Sequence, residues 1–294
     1  MKNRKKTTSK LRDFLRSMCF SGPSFAGMLV FYIIPFAVIV YYSFIGGTLD
    51  PTFVGIRNYE NVLKNEAFSI AVKNTAVFTG TAVPLAVGLS LALAVMLEAK
   101  IPFKSQLRSF FLSPLTVPIA SIILIWQVLF HYNGAINDFL AIFGADKIDW
   151  LKSDWCMVVI VLLFLWKNLG YNMILFMAAL SNVPQAMLEA ANLEGAGGWN
   201  AFVHIKLRYL SPTVLFVSIL SLINAFKVFR EIYLLTGDYP YTGLYMLQHF
   251  MNNTFRSLDY QKLSAAAVLM ALFMVGLIAF LFWAEDKFGK DVEG

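Results

Sequence analysis

The sequence predicts an all-α integral membrane protein with six transmembrane helices, and three observations lead to this prediction. Hydrophobic residues make up 58% of the 294 residues and charged residues only 14%, whereas soluble domains have roughly 45–50% and about 25%. Six apolar stretches are long enough to cross a bilayer. Lys and Arg are concentrated in the segments on one side of these stretches. This composition excludes an ordinary water-soluble enzyme.

Each apolar stretch is predicted to form one membrane-spanning helix. A helix needs about 20 residues to cross a hydrocarbon core about 30 Å thick, and its backbone groups must bond within the segment. The six spans are predicted at 24–46, 75–97, 107–130, 155–180, 213–235 and 264–284. Pro35, Pro84, Pro114 and Pro118 lie inside these spans and predict kinks.

The chain divides into three parts. Residues 1–23 form a basic N-terminus, residues 24–284 the transmembrane domain, and residues 285–294 a short tail. Basic residues precede the first span, as they do in a signal peptide. The apolar stretch is too long for one, however, and no small-residue cleavage site follows it, so we expect an uncleaved first helix.

The distribution of basic residues predicts a multi-pass protein of the cytoplasmic (inner) membrane with both termini in the cytoplasm. Fourteen Lys and Arg residues lie on the side of the termini and seven on the opposite side, and the richer side is expected to face the cytoplasm. The net charge of +6 therefore reflects topology. No basic–aromatic pattern favours nucleic acid.

The cysteines and histidines predict neither a disulfide nor a metal site. Cys19 is expected at the cytoplasmic end of the first span and Cys156 at the outer end of the fourth. About 30 Å of bilayer would separate them, and a disulfide needs Cα atoms within roughly 7 Å. The three histidines, His131, His204 and His249, lack the spacing of metal ligands.

The 32-residue segment 181–212 is predicted to be a cytoplasmic loop that folds as a helical hairpin. Pro184 suits the first position of a short helix. The glycines within 195–198 are expected to reverse the chain before a second short helix over 199–207. Such a hairpin either anchors the bundle at the membrane interface or docks into a groove of a cytoplasmic partner. Residue chemistry alone leaves both interpretations open.

One motif in this loop resembles the EAA loop of binding-protein-dependent ABC transporter permeases. It begins with Glu-Ala-Ala, reaches Gly after three residues, and ends with Ile-x-Leu after a further nine. Its residues in this chain are Glu189, Ala190, Ala191, Glu194, Gly195, Ile205 and Leu207. The segments 53–59 and 225–233, together with Asn74 and Thr75, are similar to the carbohydrate-uptake members of that family.

The resemblance implies a permease subunit of an ABC importer. Its loop would be the coupling helix, which sits in a cleft of an ATP-hydrolysing subunit. Glu189 would be the polar contact, Ala190 and Ala191 the close-packing surface, and Gly195 the turn. Arg208 stands where the family usually has Pro, which leaves open the angle between the loop and the fifth span.

The resemblance also implies the partners. They are a second homologous permease, ABC ATPase subunits, an extracytoplasmic solute-binding protein, a sugar or oligosaccharide substrate, and membrane lipid. The chain has no GxxxxGK phosphate loop followed by Ser or Thr. ATP and Mg²⁺ are therefore expected on the ATPase subunits, and this chain is expected to be no enzyme and to bind no cofactor. A non-sugar solute such as glycerol phosphate is the alternative cargo.

Polar residues inside the spans are candidates for the substrate pathway, because a charge near the bilayer centre costs roughly 2.5–3.5 kcal/mol and needs a reason. The candidates are Trp126, Gln127, Lys167, Asn168, Asn172, Asn224 and Lys227. Amide and aromatic side chains suit a neutral polyol. The same side chains are equally suited to joining packed spans.

Lys227, Arg230 and Glu231 occupy positions i, i+3 and i+4 of the fifth span, which predicts a Lys227–Glu231 ion pair. That pair would be either structural or part of the pathway. A secondary transporter would need half-repeats and, near the midplane, a membrane-embedded acid that couples to an ion. Glu231 is the only acid inside a predicted span, but its expected partner is Lys227 and it lies away from the midplane. A membrane-embedded enzyme would need converging His, Asp or Ser residues. The sequence shows neither pattern.

Overall fold

The computed structural model defines the fold of most of the chain. It describes residue 18 and residues 20–47, 51–98 and 102–289. Within this part of the chain nearly all regular structure is helical, and the β structure is limited to an isolated antiparallel bridge between Ile45 and Phe53. The prediction of an all-α fold is confirmed. Cys19 lies outside the described residues.

The first of two compact units contains the described residues up to Lys64 together with Thr254–Leu272. Its first helix, α1 (Phe20–Ser43), has a π-helical turn over Leu29–Ile33, just before Pro35. Proline has no N–H, and its ring crowds the preceding turn of a regular α-helix. The wider π-helical turn accommodates both effects.

A short helix, α2 (Arg57–Leu63), is tied to the end of α1. The side-chain amide of Asn58 donates hydrogen bonds to the backbone carbonyl oxygens of Ser43 (3.0 Å) and Ile45 (2.9 Å). The hydroxyl oxygens of Ser43 and Tyr59 are 2.7 Å apart. Part of the segment 53–59 therefore fastens the connection between the two helices.

The rest of the described chain forms a short 3₁₀ helix (Thr242–Leu244) and eleven longer helices. They are α3 (Glu66–Glu98), α4 (Lys104–Thr116), α5 (Ile119–Leu129), α6 (Ala135–Ile142), α7 (Cys156–Leu180), α8 (Gln185–Leu193), α9 (198–209), α10 (Ser211–Phe226), α11 (Phe229–Thr236), α12 (Leu247–Arg256) and α13 (Tyr260–Gly289). The second compact unit contains Asn65–Asn253 and the residues from Phe273 onward.

Helices α3, α7 and α10 form the core of the second unit. Ala82 and Ala86 of α3 are fully buried, and such small side chains let membrane helices approach closely. Gly170 of α7 lies against the backbone of Phe111 in α4, so a Cβ atom there would collide with the Phe111 carbonyl oxygen. Close backbone approach on both faces of α7 fixes the position of the residues that this helix carries.

The stretch 107–130 forms two helices, α4 and α5, whose axes are bent by 103°. Val117 is extended (φ −92°, ψ 131°) and Pro118 precedes α5. Proline forces the preceding residue out of the helical region and lacks the N–H that would continue the helix. The kink that Pro118 predicts within the third apolar stretch is therefore present, as a sharp bend between two helices. When Ser211–Thr236 is counted as one helix, the described residues contain five helices long and apolar enough to cross a membrane, or six if the bent pair is one span.

The fifth apolar stretch is also interrupted. Helix α10 ends at Phe226 and α11 begins at Phe229. Between them the N–H groups of Lys227 and Val228 donate to carbonyl oxygens three residues back, at 3.1 and 3.3 Å, instead of four. This tighter turn breaks the regular angular spacing of the charged side chains that follow it.

Candidate coupling loop and membrane cavity

The segment 181–212 forms the helical hairpin that its sequence predicts. Helix α8 follows Pro184, whose backbone (φ −62°, ψ 123°) places it at the N-cap instead of the first helical position, and no described side chain caps this end. Gly195 has a φ of +81°, and the N–H of Ala196 donates to the carbonyl oxygen of Ala191 at 2.9 Å. Residues with a side chain rarely adopt this φ, so the reversal requires glycine.

The tip of the hairpin is open to the surroundings. No residue of α8 is buried. The exposed motif residues are Glu189, Ala190, Glu194 and Gly195, and Ala191 is half-buried. The side chains of Leu193 and Trp199 are 91% and 75% exposed. Large apolar side chains on an exposed tip indicate a contact surface for another molecule.

The base of the hairpin is anchored to the transmembrane helices. The ammonium group of Lys206 in α9 lies 2.7 Å from the carboxylate of Glu98, the last residue of α3. Leu210, which follows α9, is fully buried. The motif residues Ile205 and Leu207 are half-buried. A displacement of the hairpin would therefore be transmitted to α3 and to the core.

Arg208, in the place of the family's usual Pro, leaves the chain helical almost to the start of the fifth span. Leu207–Tyr209 is α-helical, and Pro212 lies in the first turn of α10, where its missing N–H has no partner to lose. The hydroxyl of Ser211 lies 3.3 Å from the carboxylate of Glu285. A cavity of about 440 Å³ lies at this junction.

A second cavity, of about 500 Å³, lies beside the break between α10 and α11. Its lining combines cationic, amide and aromatic groups, mainly from α7, α10, α11 and α12. The lining residues are Leu115, Leu163, Phe164, Lys167, Asn168, Tyr171, Asn224, Lys227, Val228, Arg230, Glu231 and Gln248. Four of the seven predicted pathway residues are among them, namely Lys167, Asn168, Asn224 and Lys227.

The other three predicted pathway residues do not line this cavity. Trp126 packs on Trp166 with 5.3 Å between ring centroids. The amide of Gln127 donates to a backbone carbonyl oxygen of α11 at 3.4 Å. Asn172 is only 1% exposed and donates to the hydroxyl of Ser221 at 2.9 Å. These side chains join packed helices, which is the alternative that the sequence left open.

Glu231 forms an ion pair with Lys167 of α7. Its carboxylate is buried, and the guanidinium of Arg230 lies 3.7 Å away. The predicted Lys227–Glu231 pair is wrong, because the break between α10 and α11 removes the regular i,i+4 spacing that the pair requires. Lys227 is exposed and forms no ion pair with any residue that the structure describes.

Two asparagines join α7 to α10 in the cavity wall. The side-chain amide of Asn224 donates to the side-chain oxygen of Asn168 at 3.0 Å, and the amide of Asn168 donates to the carbonyl oxygen of Phe164 at 2.8 Å. Gln248 also reaches the cavity from α12. Sequence reasoning missed it because α12 lies outside the predicted spans and carries no motif.

The loop before α12 is held in place by α3. The side-chain amide of Asn74 donates to the carbonyl oxygens of Thr242 (2.7 Å) and Tyr245 (3.1 Å). The backbone N–H of Leu247 donates to the hydroxyl of Thr75 at 2.9 Å. These bonds fix the start of α12, the helix that carries one wall residue of the cavity.

His249 of α12 is fully buried, and this burial lowers its pKa to about 4, with Asp238 acting weakly in the opposite direction. Its Nδ1 accepts the N–H of Met246 at 3.3 Å, and the ring of Phe229 packs edge-on with 4.6 Å between centroids. The imidazole is therefore neutral at physiological pH. Burial likewise raises the pKa of the neighbouring Tyr245.

The sequence of the chain matches a known family. The profile of the binding-protein-dependent transport system inner membrane component covers residues 85–294. The chain belongs to this family. This permease is 28% identical over 270 residues to the lactose transport system permease protein LacF of Rhizobium radiobacter, over 89% of its own length and 91% of LacF. It is 31% identical to the sulfoquinovosyl glycerol transport system permease protein SmoG of Agrobacterium fabrum, over 88% of its own length and 87% of SmoG.

The fold of this permease is also that of a solved importer chain. The crystal structure of a bacterial ABC transporter involved in the import of the acidic polysaccharide alginate contains a chain that superimposes with a TM-score of 0.81. The two chains are 20% identical, and the match covers 97% of this permease and 99% of that chain. The prediction of a kinked, multi-span ABC permease fold is confirmed. By its family, the chain is the membrane permease component of a binding-protein-dependent transport system.

Proposed function

We propose that this permease moves a sugar or oligosaccharide, delivered by an extracytoplasmic binding protein, across the inner membrane into the cell. The names of the relatives LacF and SmoG and the alginate importer support a carbohydrate cargo. The single observation that carries the proposal is the cavity of about 500 Å³. It has the size of a small-molecule site, and its amides and Tyr171 are suited to hydroxyl groups and to a sugar ring.

The predicted pathway residues take two roles in this proposal. Lys167, Asn168, Asn224 and Lys227 lie along the route of the solute, because they line the cavity. The other three, Trp126, Gln127 and Asn172, hold the helices that form its walls. The break between α10 and α11 is the kind of helix interruption at which transporters place their solute sites. A phosphate-bearing solute such as glycerol phosphate is the second candidate, favoured by the exposed Lys227.

The proposed assembly contains a second homologous permease, ABC ATPase subunits and the binding protein. ATP and Mg²⁺ would be used on the ATPase subunits. Fourteen Lys and Arg residues lie on the side of the termini and the 181–212 hairpin, and seven lie on the opposite side. This distribution supports an arrangement with both termini and the hairpin in the cytoplasm. Such an arrangement puts the hairpin on the side where ATP is available.

The hairpin is proposed to dock into a cleft of an ATPase subunit. Glu189 would be the polar contact, Ala190 and Ala191 would allow close approach, and Gly195 would set the turn. The exposure of this helix and of its apolar neighbours supports a docking role. Movement of the hairpin would then pass through α9 and its ion pair with α3 to the helices around the cavity.

The assembled importer in proteoliposomes tests this function. Candidate binding proteins are loaded with neutral or acidic oligosaccharides, glycerol phosphate, amino acids or peptides, and ATP hydrolysis and uptake are measured. We expect a carbohydrate-loaded protein to stimulate both. Stimulation only by amino acids or peptides would contradict a carbohydrate cargo.

Docking of the hairpin is tested separately with two variants of α8. Glu189→Lys should abolish co-purification of the ATPase subunits while leaving membrane insertion intact. Asn192→Lys adds the same side chain at another exposed position of this helix and should retain the ATPase subunits. Equal retention by both variants would remove the basis for docking through Glu189.

A further inference from the structure

We propose that the solute carries an anionic group, a carboxylate or a phosphate on a polyhydroxylated molecule, and that Lys227 and Arg230 bind this group in the cavity beside the α10–α11 break. The inference rests on the proposed transport function and specifies the substrate class of the same site. A neutral sugar would leave the positive charge of this cavity without a partner.

The charges that line the cavity do not balance. Lys167, Lys227 and Arg230 face a single carboxylate, that of Glu231. The carboxylate is engaged by Lys167, which reaches it across from α7. Arg230 is the weaker second contact at 3.7 Å, and its side chain is 64% exposed. The described lining therefore has a net charge of +2, located mainly on two exposed side chains of the broken helix.

Helix dipoles do not account for this excess. The C-terminal end of α10 carries a partial negative charge and the N-terminal end of α11 a partial positive charge. Because the two ends meet at the same break, their contributions oppose each other. The side chains therefore set the sign of the electrostatic potential in the cavity.

Uncompensated cations are costly within a membrane protein and mark sites for a charged ligand. Helix breaks in transporters hold charged groups where they line a cavity. The neutral part of the lining is suited to hydroxyl groups, since Tyr171, Asn224 and Gln248 supply hydrogen-bonding side chains. A positive patch beside these groups fits an acidic sugar or a sugar phosphate better than a neutral sugar. The rival explanation is an acid on the second permease that neutralises Lys227 and Arg230.

The potential in the cavity is measured on the assembled importer with a single reporter thiol. Leu115→Cys, at a lining position with no proposed contact to the solute, is introduced into a chain that also carries Cys19→Ser and Cys156→Ser. The labelling rates of a negatively charged (sulfonatoethyl) and a positively charged (trimethylammonioethyl) methanethiosulfonate are compared, each relative to a free thiol in solution. We expect the anionic reagent to be favoured by about tenfold or more. Lys227→Gln should reduce this preference and Lys227→Arg should keep it.

A rate ratio equal to that of the free thiol would overturn the proposal, because it would mean that a partner acid already neutralises the cavity. Protection of the same thiol then distinguishes the kinds of solute. Digalacturonate tests a carboxylate, galactose 1-phosphate tests a phosphate, and galactobiose is the neutral control. Slower labelling with either anion but not with galactobiose supports the proposal. Equal slowing by galactobiose, or slowing by none of the three, contradicts it.

Failure of the proposed function gives a different result. One outcome is that ATP hydrolysis responds to a binding protein loaded with a neutral sugar, while the two reagents label the thiol with the same rate ratio as a free thiol. This outcome would support the transport function and contradict the anionic substrate. The other outcome is that the anionic reagent is favoured and anions protect the thiol, while no carbohydrate-loaded binding protein stimulates ATP hydrolysis. This outcome would contradict only the carbohydrate function.

Discussion

Replacing Glu231 by Gln should destabilise the permease, because it leaves Lys167 without its partner in the cavity wall. The side chain of Glu231 is 6% exposed and that of Lys167 is 30% exposed. Removing one member of a buried ion pair costs about 3–5 kcal/mol. Water still reaches the ammonium group of Lys167 and screens part of the loss, so we expect a cost of about 2–3 kcal/mol.

The chain offers a matched control in the exposed pair of Glu60 and Lys64. Their charged groups are 3.8 Å apart, and the side chains are 53% and 78% exposed. Such a surface pair contributes about 0–1 kcal/mol. Thermal unfolding of the purified permease in detergent, followed by tryptophan fluorescence, should therefore show a Tm lower by about 5 °C for Glu231→Gln and by less than about 2 °C for Glu60→Gln.

A third variant isolates the ion pair itself. Lys167→Met combined with Glu231→Gln removes both charges, so the unpaired ammonium is no longer present and part of the Tm should be recovered. The reasoning is refuted if Glu231→Gln unfolds at the same temperature as Glu60→Gln, or if the double variant is less stable than Glu231→Gln alone.

Three further predictions concern other parts of the structure. Gly195→Ala forces a side chain into a φ of +81° at a cost of about 1–2 kcal/mol, and should lower binding-protein-stimulated ATP hydrolysis. Gly197→Ala, at φ −66°, should leave this hydrolysis unchanged. Equal losses of ATP hydrolysis in the two variants would contradict a conformational role for Gly195. Gly170→Ala should lower the Tm by several degrees, because the new Cβ would collide with the backbone of Phe111. Gly88→Ala has open space around its Cβ and should leave the Tm unchanged or slightly higher. The reverse order of Tm values would disprove the close contact between α7 and α4. Lowering the pH from 7 to 5 should cost about 2 kcal/mol of stability, because His249 is protonated below pH 6.5 in the unfolded state and only near pH 4 in the folded state. In His249→Asn the Tm should therefore depend less on pH. An unchanged pH dependence of the Tm would show that His249 is not responsible.

Local features of this fold could be predicted from the sequence. The helical hairpin could be predicted from the glycines after residue 194. The chain reversal at Gly195 needs a positive φ, and glycine is the residue that adopts it readily. Pro118 likewise marks an interruption, because proline acts on its own neighbours. The 103° bend between α4 and α5 could not be predicted, because the helices packed around the break set the angle.

Contacts between distant segments were the features that sequence reasoning missed. Lys227 was expected to pair with Glu231 because both belong to one apparent helix, but the partner of Glu231 is 64 residues away at Lys167. Gln248 reaches the cavity only because α3 fixes the start of α12 through hydrogen bonds that span about 170 residues. No periodic pattern within a segment records such pairings, so the partner of Glu231 and the position of Gln248 required the structure.

The most direct test of coupling between the hairpin and the cavity is the accessibility of a thiol in place of Tyr171 in the assembled importer. Labelling from outside the proteoliposome is measured with an impermeant reagent, with and without ATP and the solute-loaded binding protein. We predict that ATP raises the labelling rate in the parent chain and in Gly197→Ala, and raises it less in Gly195→Ala. A labelling rate that ATP does not change in the parent chain, or that ATP raises equally in Gly195→Ala and Gly197→Ala, would contradict coupling through the hairpin.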